Sequence, residues 1–293
     1  MAFSWLSEKS RVNEEPPNYA EATATAPAAA SGPSPPPSPA VPPAAHASTP
    51  AISELDRSPL KGHETKYAML SIAWSDRFRL VRFPEPMTAL FSEIVQHLWP
   101  KGIQRVQGFD ESLEIKLRGN PFGYGADEEK VAIRITLMGV LNAFAKEGWV
   151  VVPGGGRVGR MGNYNAYGQK DSLIFKYEEP RAYSWLCISF DSADLLHLIN
   201  APTELANSLI SFFGERVEKC NKDFVSGNFE LKFQGQPWGR NSGKGGVQSR
   251  LLVLDLMQCL EEQGYTMCTG LDIDGGDGGS TYKSYGELWF WYR

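Results

Sequence analysis

Hydrophobic and polar positions after about residue 66 follow patterns that predict strands and helices in a fixed order. Leu113, Ile115 and Leu117 alternate with polar residues, as in a half-buried strand. Between Met87 and Leu98 the apolar residues recur every three or four positions, which predicts a helix with one buried face. The predicted strands are joined by short turns, which favours antiparallel pairing over a doubly wound parallel sheet. We therefore expect an α+β fold in which two helices pack on a mainly antiparallel sheet.

This order of elements occurs twice in the chain. When each residue is compared with the one 116 positions later, the apolar positions stay in step to the C-terminus without a gap. The best match pairs residues 113–123, LEIKLRGNPFG, with residues 229–239, FELKFQGQPWG. A duplicated domain explains this repeat better than coincidence does. We expect two tandem copies, at residues 66–178 and 182–293, and the few residues between them predict that the copies touch.

The alternation also assigns individual side chains to the core or to the solvent. In the first predicted strand Leu70, Ile72 and Trp74 should face inward, whereas Glu114 in a later strand should face outward. Residues 289–292, Trp-Phe-Trp-Tyr, are apolar on both faces of a predicted strand. Such a strand is either central in a core or covered by a neighbour. We expect burial in the core or in a contact between the two copies.

The first 65 residues differ in composition from the rest of the chain. Twelve of the 20 prolines fall between Pro16 and Pro59, interleaved with alanine and serine, and large apolar residues are few. Such a segment cannot bury enough apolar surface to offset the entropy lost on ordering. Residues 1–65 are therefore predicted to be a disordered Pro/Ala/Ser-rich tail with local polyproline II structure.

The tail contains one short binding motif, Pro16-Pro17-Asn18-Tyr19. WW domains bind PPxY segments because a polyproline II helix presents its prolines to an aromatic groove, while the tyrosine enters a second pocket. We expect Pro16, Pro17 and Tyr19 to be the WW-binding residues. The motif resembles the docking site for WW-containing ubiquitin ligases of the HECT class, and the resemblance implies such a ligase as a partner. The same motif is a budding signal in some viral structural proteins, so a viral or endosomal-sorting context stays open.

Two glycine-rich loops at equivalent places in the copies carry opposite charges. In the first copy Arg157, Arg160 and Lys170 make the loop basic, so it is a candidate site for an anionic partner, with a solvated hairpin loop as the preferred alternative. In the second copy closely spaced acidic residues form a weak calcium candidate, because the spacing lacks two ligands that an EF-hand loop needs. The acidic residues are Asp272, Asp274 and Asp277.

Other features argue against several classes of protein. The net charge of −5 is not that of a dedicated nucleic-acid binder, so no nucleic acid is expected as a partner. The four cysteines include no CxxC pair, and no histidine has zinc-ligand spacing, so no cofactor is expected. The segment at residues 154–159 fits GxGxxG but lacks the helix that follows it in dinucleotide-binding folds. Without a signal peptide or an apolar run of about 20 residues, the protein is expected in the cytoplasm, with a peripheral membrane position left open.

These features together predict a non-catalytic adaptor. Its tail would recruit a WW-domain protein, and its duplicated domains would hold an unknown protein or a membrane. The alternative is a peripheral membrane or lipid-binding protein, based on Arg157, Arg160 and the N-terminal residues Phe3, Trp5 and Leu6. An enzyme on an unfamiliar α+β fold is a third and less favoured interpretation, because no catalytic constellation supports it.

Overall fold

A computed structural model describes residues 66–109, 111–159, 169–223, 227–239, 243–273 and 284–293. These residues form two antiparallel sheets and four α-helices, divided equally between two copies. The prediction of an α+β fold with two tandem copies of an antiparallel sheet and two helices is confirmed. The predicted tail at residues 1–65, which includes Pro16, Pro17 and Tyr19, lies outside the described residues.

The first copy places two helices on one face of its sheet. The strand order is β3-β4-β2-β1-β7-β5, and the short β6 also pairs with β7. The elements are β1 (Tyr67–Ala73), β2 (Arg77–Val81), α1 (Glu85–Leu98), β3 (Ile103–Phe109), β4 (Ser112–Leu117), α2 (Asp127–Lys146), β5 (Trp149–Val151), β6 (Arg157–Val158) and β7 (Gln169–Tyr177). The apolar stripe predicted for α1 is confirmed, because Met87, Phe91 and Val95 are its buried residues.

The second copy repeats this topology with the strand order β10-β11-β9-β8-β13-β12. Its elements are β8 (Trp185–Asp191), β9 (Leu195–Ile199), α3 (Thr203–Phe213), β10 (Val217–Asp223), β11 (Asn228–Phe233), α4 (Gly243–Glu262), β12 (Thr266–Leu271) and β13 (Ser284–Tyr292). Single 3-10 turns lie at Gly214–Arg216 and Pro237–Gly239. None of the helices within the described ranges is both long enough and apolar enough to cross a membrane.

The two copies stack in four layers: first sheet, α1 with α2, second sheet, α3 with α4. The first helix pair therefore has a sheet on each side. Trp185, Cys187 and Phe290 of the second sheet belong to the same core as α1 and α2. Their strand neighbours Leu186 and Trp291 belong to the core formed with α3 and α4. The copies touch, as the short connection predicted, and residues 289–292 contribute to both cores.

The constant offset of 116 between the copies is wrong for the first elements. Phe78 in β2 and Leu196 in β9 hold equivalent places in their sheets, 118 positions apart, whereas their partners Ile115 and Leu231 are 116 apart. The helix caps agree, because Pro202 corresponds to Pro84 and not to Pro86. A one-residue slip would turn every side chain of a strand to the wrong face, so register is preserved and length changes fall elsewhere. Here α3, with 11 residues, is shorter than α1, with 14.

Two side chains differ from what the alternation predicted, Trp74 in its position and Glu114 in its exposure to solvent. Trp74 lies beyond the end of β1 with a φ of 57° and is 48% exposed, because the chain turns there and the two-residue period ends. Glu114 does point away from the helices, but only 1% of its surface is exposed. Arg77 and Arg79 of the neighbouring strand cover its carboxylate and bond to it.

Candidate functional site

A group of polar side chains, buried except for the partly exposed Glu230, joins α2 of the first copy to the second sheet. We call Arg134, Ser189, Asp191, His197 and Glu230 the buried network. Arg134 donates from Nη2 to Asp191 Oδ1 over 3.1 Å, and His197 Nδ1 lies 2.7 Å from Asp191 Oδ2. The Ser189 hydroxyl donates to the same carboxylate, and His197 Nε2 lies 3.2 Å from Glu230 Oε2. The network thus ties one helix and three strands together.

The two carboxylates favour the doubly protonated form of His197. Burial lowers the pKa of His197, but its hydrogen bonds to Asp191 and Glu230 raise it by more, so the net shift is upward. Burial raises the pKa of Asp191, and the charge of Arg134 together with the His197 hydrogen bond lowers it below its usual range. The His197 hydrogen bond also lowers the pKa of Glu230. Near pH 6 all of these groups are charged, which is the state with the most ion pairs.

The stability of the protein should therefore fall as the pH rises through the folded-state pKa of His197. A raised pKa in the folded state adds stability that is complete below the unfolded pKa of about 6.5 and is lost above the folded value. Urea unfolding at a series of pH values from 6 upward should show this loss in the wild type and not in His197→Gln. Equal pH dependence of the two proteins would contradict the assignment.

Three members of the buried network are enclosed by the surrounding protein. Arg134, Asp191 and His197 are each at most 2% exposed, so a substrate has no access to them. Burial raises the pKa of the neighbouring Cys187 thiol to about 12, which keeps it protonated and weakly nucleophilic at neutral pH. Within the described ranges, no three histidine, cysteine or carboxylate side chains are grouped as metal ligands would be. The arrangement holds the two copies in one orientation.

The predicted basic loop supplies a second link between the copies. Arg157 Nε lies 2.7 Å from Oδ2 of Asp171 in the first copy. The Nη1 of the same side chain donates to the carboxylate of Glu287 in the second copy. Lys170 is only 9% exposed, and Arg160 lies outside the described residues. Asp171 and Glu287 lie on strands of different copies, and the stacking of the copies brings both carboxylates to one guanidinium. The guanidinium of Arg157 is thus already paired with two carboxylates within the chain.

Only one of the three calcium candidates falls in the described part of the chain. The backbone N–H of Asp272 donates to Asp171 Oδ2 over 2.7 Å. This bond continues the link made by Arg157 and places Asp272 at the joint between the copies. Asp274 and Asp277 lie outside the described residues.

The first sheet has an open face, on the side away from α1 and α2, and this face contains a groove of about 700 Å³. We call this groove the outer groove. Its main lining side chains are Tyr67, Met69, Arg79, Val81, Phe109 and Ile174. Tyr67 and Phe109 are large apolar side chains that remain 53% and 45% exposed. Exposed aromatic residues in a groove with a charged rim are typical of a protein interaction surface.

Arginines make the outer groove rigid and basic. The guanidinium of Arg79 lies 4.5 Å from the centre of the Phe109 ring and donates from Nε to Glu114 over 3.0 Å. Arg77 and Arg105 also pair with this carboxylate. Burial raises the pKa of Glu114, but the bond from Arg79 and the charge of Arg77 lower it by more. Glu114 therefore stays ionised and holds three arginines in place, and the groove lining adds Arg82 and the acidic Glu111.

Sequence reasoning did not identify the outer groove. Its residues alternate with core residues along β1 and β2, so the pattern shows only that they face away from α1 and α2. Equivalent residues of the second copy are covered, so the sequence pattern alone could not show which copy keeps an open face.

Comparison with known proteins agrees with this architecture. The model of one domain family matches residues 66–176 and, a second time, residues 184–290. No curated protein and no solved structure matches the chain. The matched residues make up more than half of the chain and contain both sheets with their helices. The chain therefore belongs to this domain family and carries two copies of its domain in tandem.

Proposed function

We propose that the protein is a non-catalytic adaptor that acts in the cytoplasm. Its PPxY motif recruits a WW-domain protein, with a HECT-class ubiquitin ligase as the partner that the motif implies. Its two-domain body binds a second protein through the outer groove. The observation that carries the second part is the groove itself, in which half-exposed Tyr67 and Phe109 stand beside fixed arginines.

Electrostatics within the body support binding over catalysis. The buried network lies between α2 and the second sheet, and its members Arg134, Asp191 and His197 are enclosed. The outer groove, in contrast, is accessible, and its carboxylate Glu114 is kept ionised by arginines, which suits a fixed charge and not a general acid. The exposed groove therefore supports a recognition role.

Tyr19→Ala should remove binding to WW domains. The tyrosine fills the second pocket of the WW groove, and loss of such an anchor costs about 2 kcal/mol or more, or roughly thirtyfold in affinity. The measurement is calorimetric titration of the full chain with a purified WW domain of a HECT-class ligase. Asn18→Ala is the matched control, because the third motif position carries no defined side chain. Equal affinity of Tyr19→Ala and Asn18→Ala would refute the WW assignment.

The partner of the body is tested separately by a charge placed in the outer groove. Phe109 and Val106 lie on the same strand with 45% and 47% exposure, but Phe109 pairs with Ser112 on the groove side and Val106 pairs with the core residue Ile115. Phe109→Asp should remove the body's partners from affinity capture, and Val106→Asp should retain them. Identical captured proteins from the two variants would count against the groove.

A peripheral membrane role is a second proposal, favoured by the positive charge at the open face of the first sheet. Arg77 and Arg105 there are 25% and 50% exposed at the side chain. The basic loop adds little, because Arg157 pairs with Asp171 and Glu287. Co-sedimentation with vesicles that increases with the fraction of anionic lipid would support this role, and no dependence on anionic lipid would remove it.

A further inference from the structure

The contact between the two copies shows which surfaces of this domain pack against a neighbouring domain. The outward residues of α2 that reach the second sheet are Arg134, Ile135, Met138 and Asn142. Arg134 pairs with Asp191, while the other three line a cavity of about 550 Å³ together with residues of the second sheet. Trp185 and Ile199 form the sheet side of this cavity. The outward face of a second helix therefore packs on the open face of the next sheet.

The last layer carries the same helix face, and neither sheet of the described residues lies on it. At the four equivalent positions of α4, 116 residues later, stand Arg250, Leu251, Leu254 and Gln258. The residue types are retained: arginine for arginine, aliphatic for aliphatic, and amide for amide. Leu251 is 47% exposed and Leu254 is 60% exposed, and Val247 one turn earlier is 57% exposed. We call these residues, with Val247, the free helix face.

The first layer carries the matching sheet face without a helix on it. In the second sheet the receiving side chains include Trp185, Cys187 and Ile199. Their counterparts 118 positions earlier are Tyr67, Met69 and Val81, all of which line the outer groove. The outer groove is thus the equivalent of the surface that α2 covers inside the molecule.

We propose that molecules of this protein associate head to tail, with the free helix face of one molecule seated in the outer groove of the next molecule. The inference rests on the binding role proposed for the outer groove and names a second copy of this chain as its occupant. The internal joint is the template for the contact between molecules. Net charge favours it, since residues 66–178 contain 15 Lys and Arg against 12 Asp and Glu, whereas residues 182–293 contain 9 against 14.

The contact between molecules lacks one element of the internal joint. Ala73 stands where the second sheet has Asp191, and Arg79 stands where it has His197. The ion pair that Arg134 makes has no counterpart, so Arg250 would approach Arg79 instead. The association should therefore be weaker than the internal joint and reversible. Because its two surfaces differ, it leaves an unused surface at each end and can continue into short chains.

Sedimentation velocity of the full-length chain over a dilution series tests this contact. The wild type should show a mass that rises with concentration. Leu254→Asp blocks the free helix face and Phe109→Asp blocks the outer groove, so each variant alone should stay monomeric. An equimolar mixture of the two should form a dimer and nothing larger, because one intact surface of each kind remains. The control variants Gln248→Asp, on the flank of α4, and Val106→Asp should behave as wild type.

A variant that strengthens the association is also needed, because a substitution that weakens it could act through misfolding. Arg250→Glu places a carboxylate opposite Arg79 at an exposed helix position, so it should tighten the association severalfold. The same measurement should show larger species at lower protein concentration than in the wild type. Weaker association of Arg250→Glu would contradict the proposed orientation.

The inference is overturned if the wild type is monomeric at every concentration, or if the mixture of blocked variants stays monomeric. In that case a loss of captured partners by Phe109→Asp would still support the binding role of the groove, with a different protein as occupant. Self-association that Phe109→Asp does not weaken would likewise reject the head-to-tail contact.

Discussion

Arg134→Ala is expected to lower the free energy of unfolding by about 3–5 kcal/mol, the usual cost of removing one partner from a buried ion pair. Arg134 is fully buried and donates to Asp191, which is also fully buried. Without the guanidinium, the carboxylate keeps its hydrogen bonds to Ser189 and His197 but loses its main compensating charge. The loss falls at the joint between the copies and should loosen their packing.

Arg250→Ala is the matched control for this substitution. Arg250 occupies the equivalent helix position in the second copy but is exposed, and its Nη1 donates to the carbonyl of Gly246 in its own helix. Its removal should change stability by no more than about 0.5 kcal/mol. Urea unfolding at low protein concentration measures both variants. Similar effects from the two substitutions would mean that the second sheet does not cover α2.

Phe290→Ala is expected to cost about 3–5 kcal/mol, as for other buried phenylalanines truncated to alanine. Phe290 has no exposed surface and belongs to the core that α1 and α2 share with the second sheet. Truncation would leave a cavity in a layer packed on both sides, and neighbours held by two sheets cannot easily collapse into it.

Ile174→Ala provides the comparison, since Ile174 is the counterpart of Phe290 in the first sheet but faces the outer groove. No helix of the described residues covers this position, so truncation should cost clearly less than Phe290→Ala. Thermal melting of dilute samples compares the two variants. An equal loss of stability would indicate that the outer groove is closed.

Local patterns predicted the elements because each element buries one face with a regular period. The stripe in α1 required only the spacing of Met87, Phe91 and Val95, which any packed helix needs. Alternation likewise identified β4, yet it misjudged Glu114, since a polar residue on the outward face was expected to meet water. The three arginines that pair with Glu114 come from two neighbouring strands, and their positions relative to it depend on strand pairing, which alternation does not encode.

The repeat was detectable because both copies bury the same positions, but the offset of 116 was wrong for the first strands of each copy. Matching apolar positions survive duplication because both copies keep the same core. The true register of β1 and β8 depends on which residues pair across the sheet, and a two-residue change fits the alternation equally well. Only the cross-strand pairs distinguish an offset of 118 from one of 116.

The sequence by itself determined the element types, the duplication and the presence of a PPxY motif. These follow from short-range periodicity and composition, which a single chain displays directly. Tertiary structure alone decided that helices of the described ranges cover the second sheet on both faces and the first sheet on one. It also decided that Arg134 is buried while Arg250 is exposed. Equivalent residues in the two copies differ in exposure because α2 of the first copy packs on the sheet of the second. The helix α4 and the outer face of the first sheet lie at opposite ends of this stack.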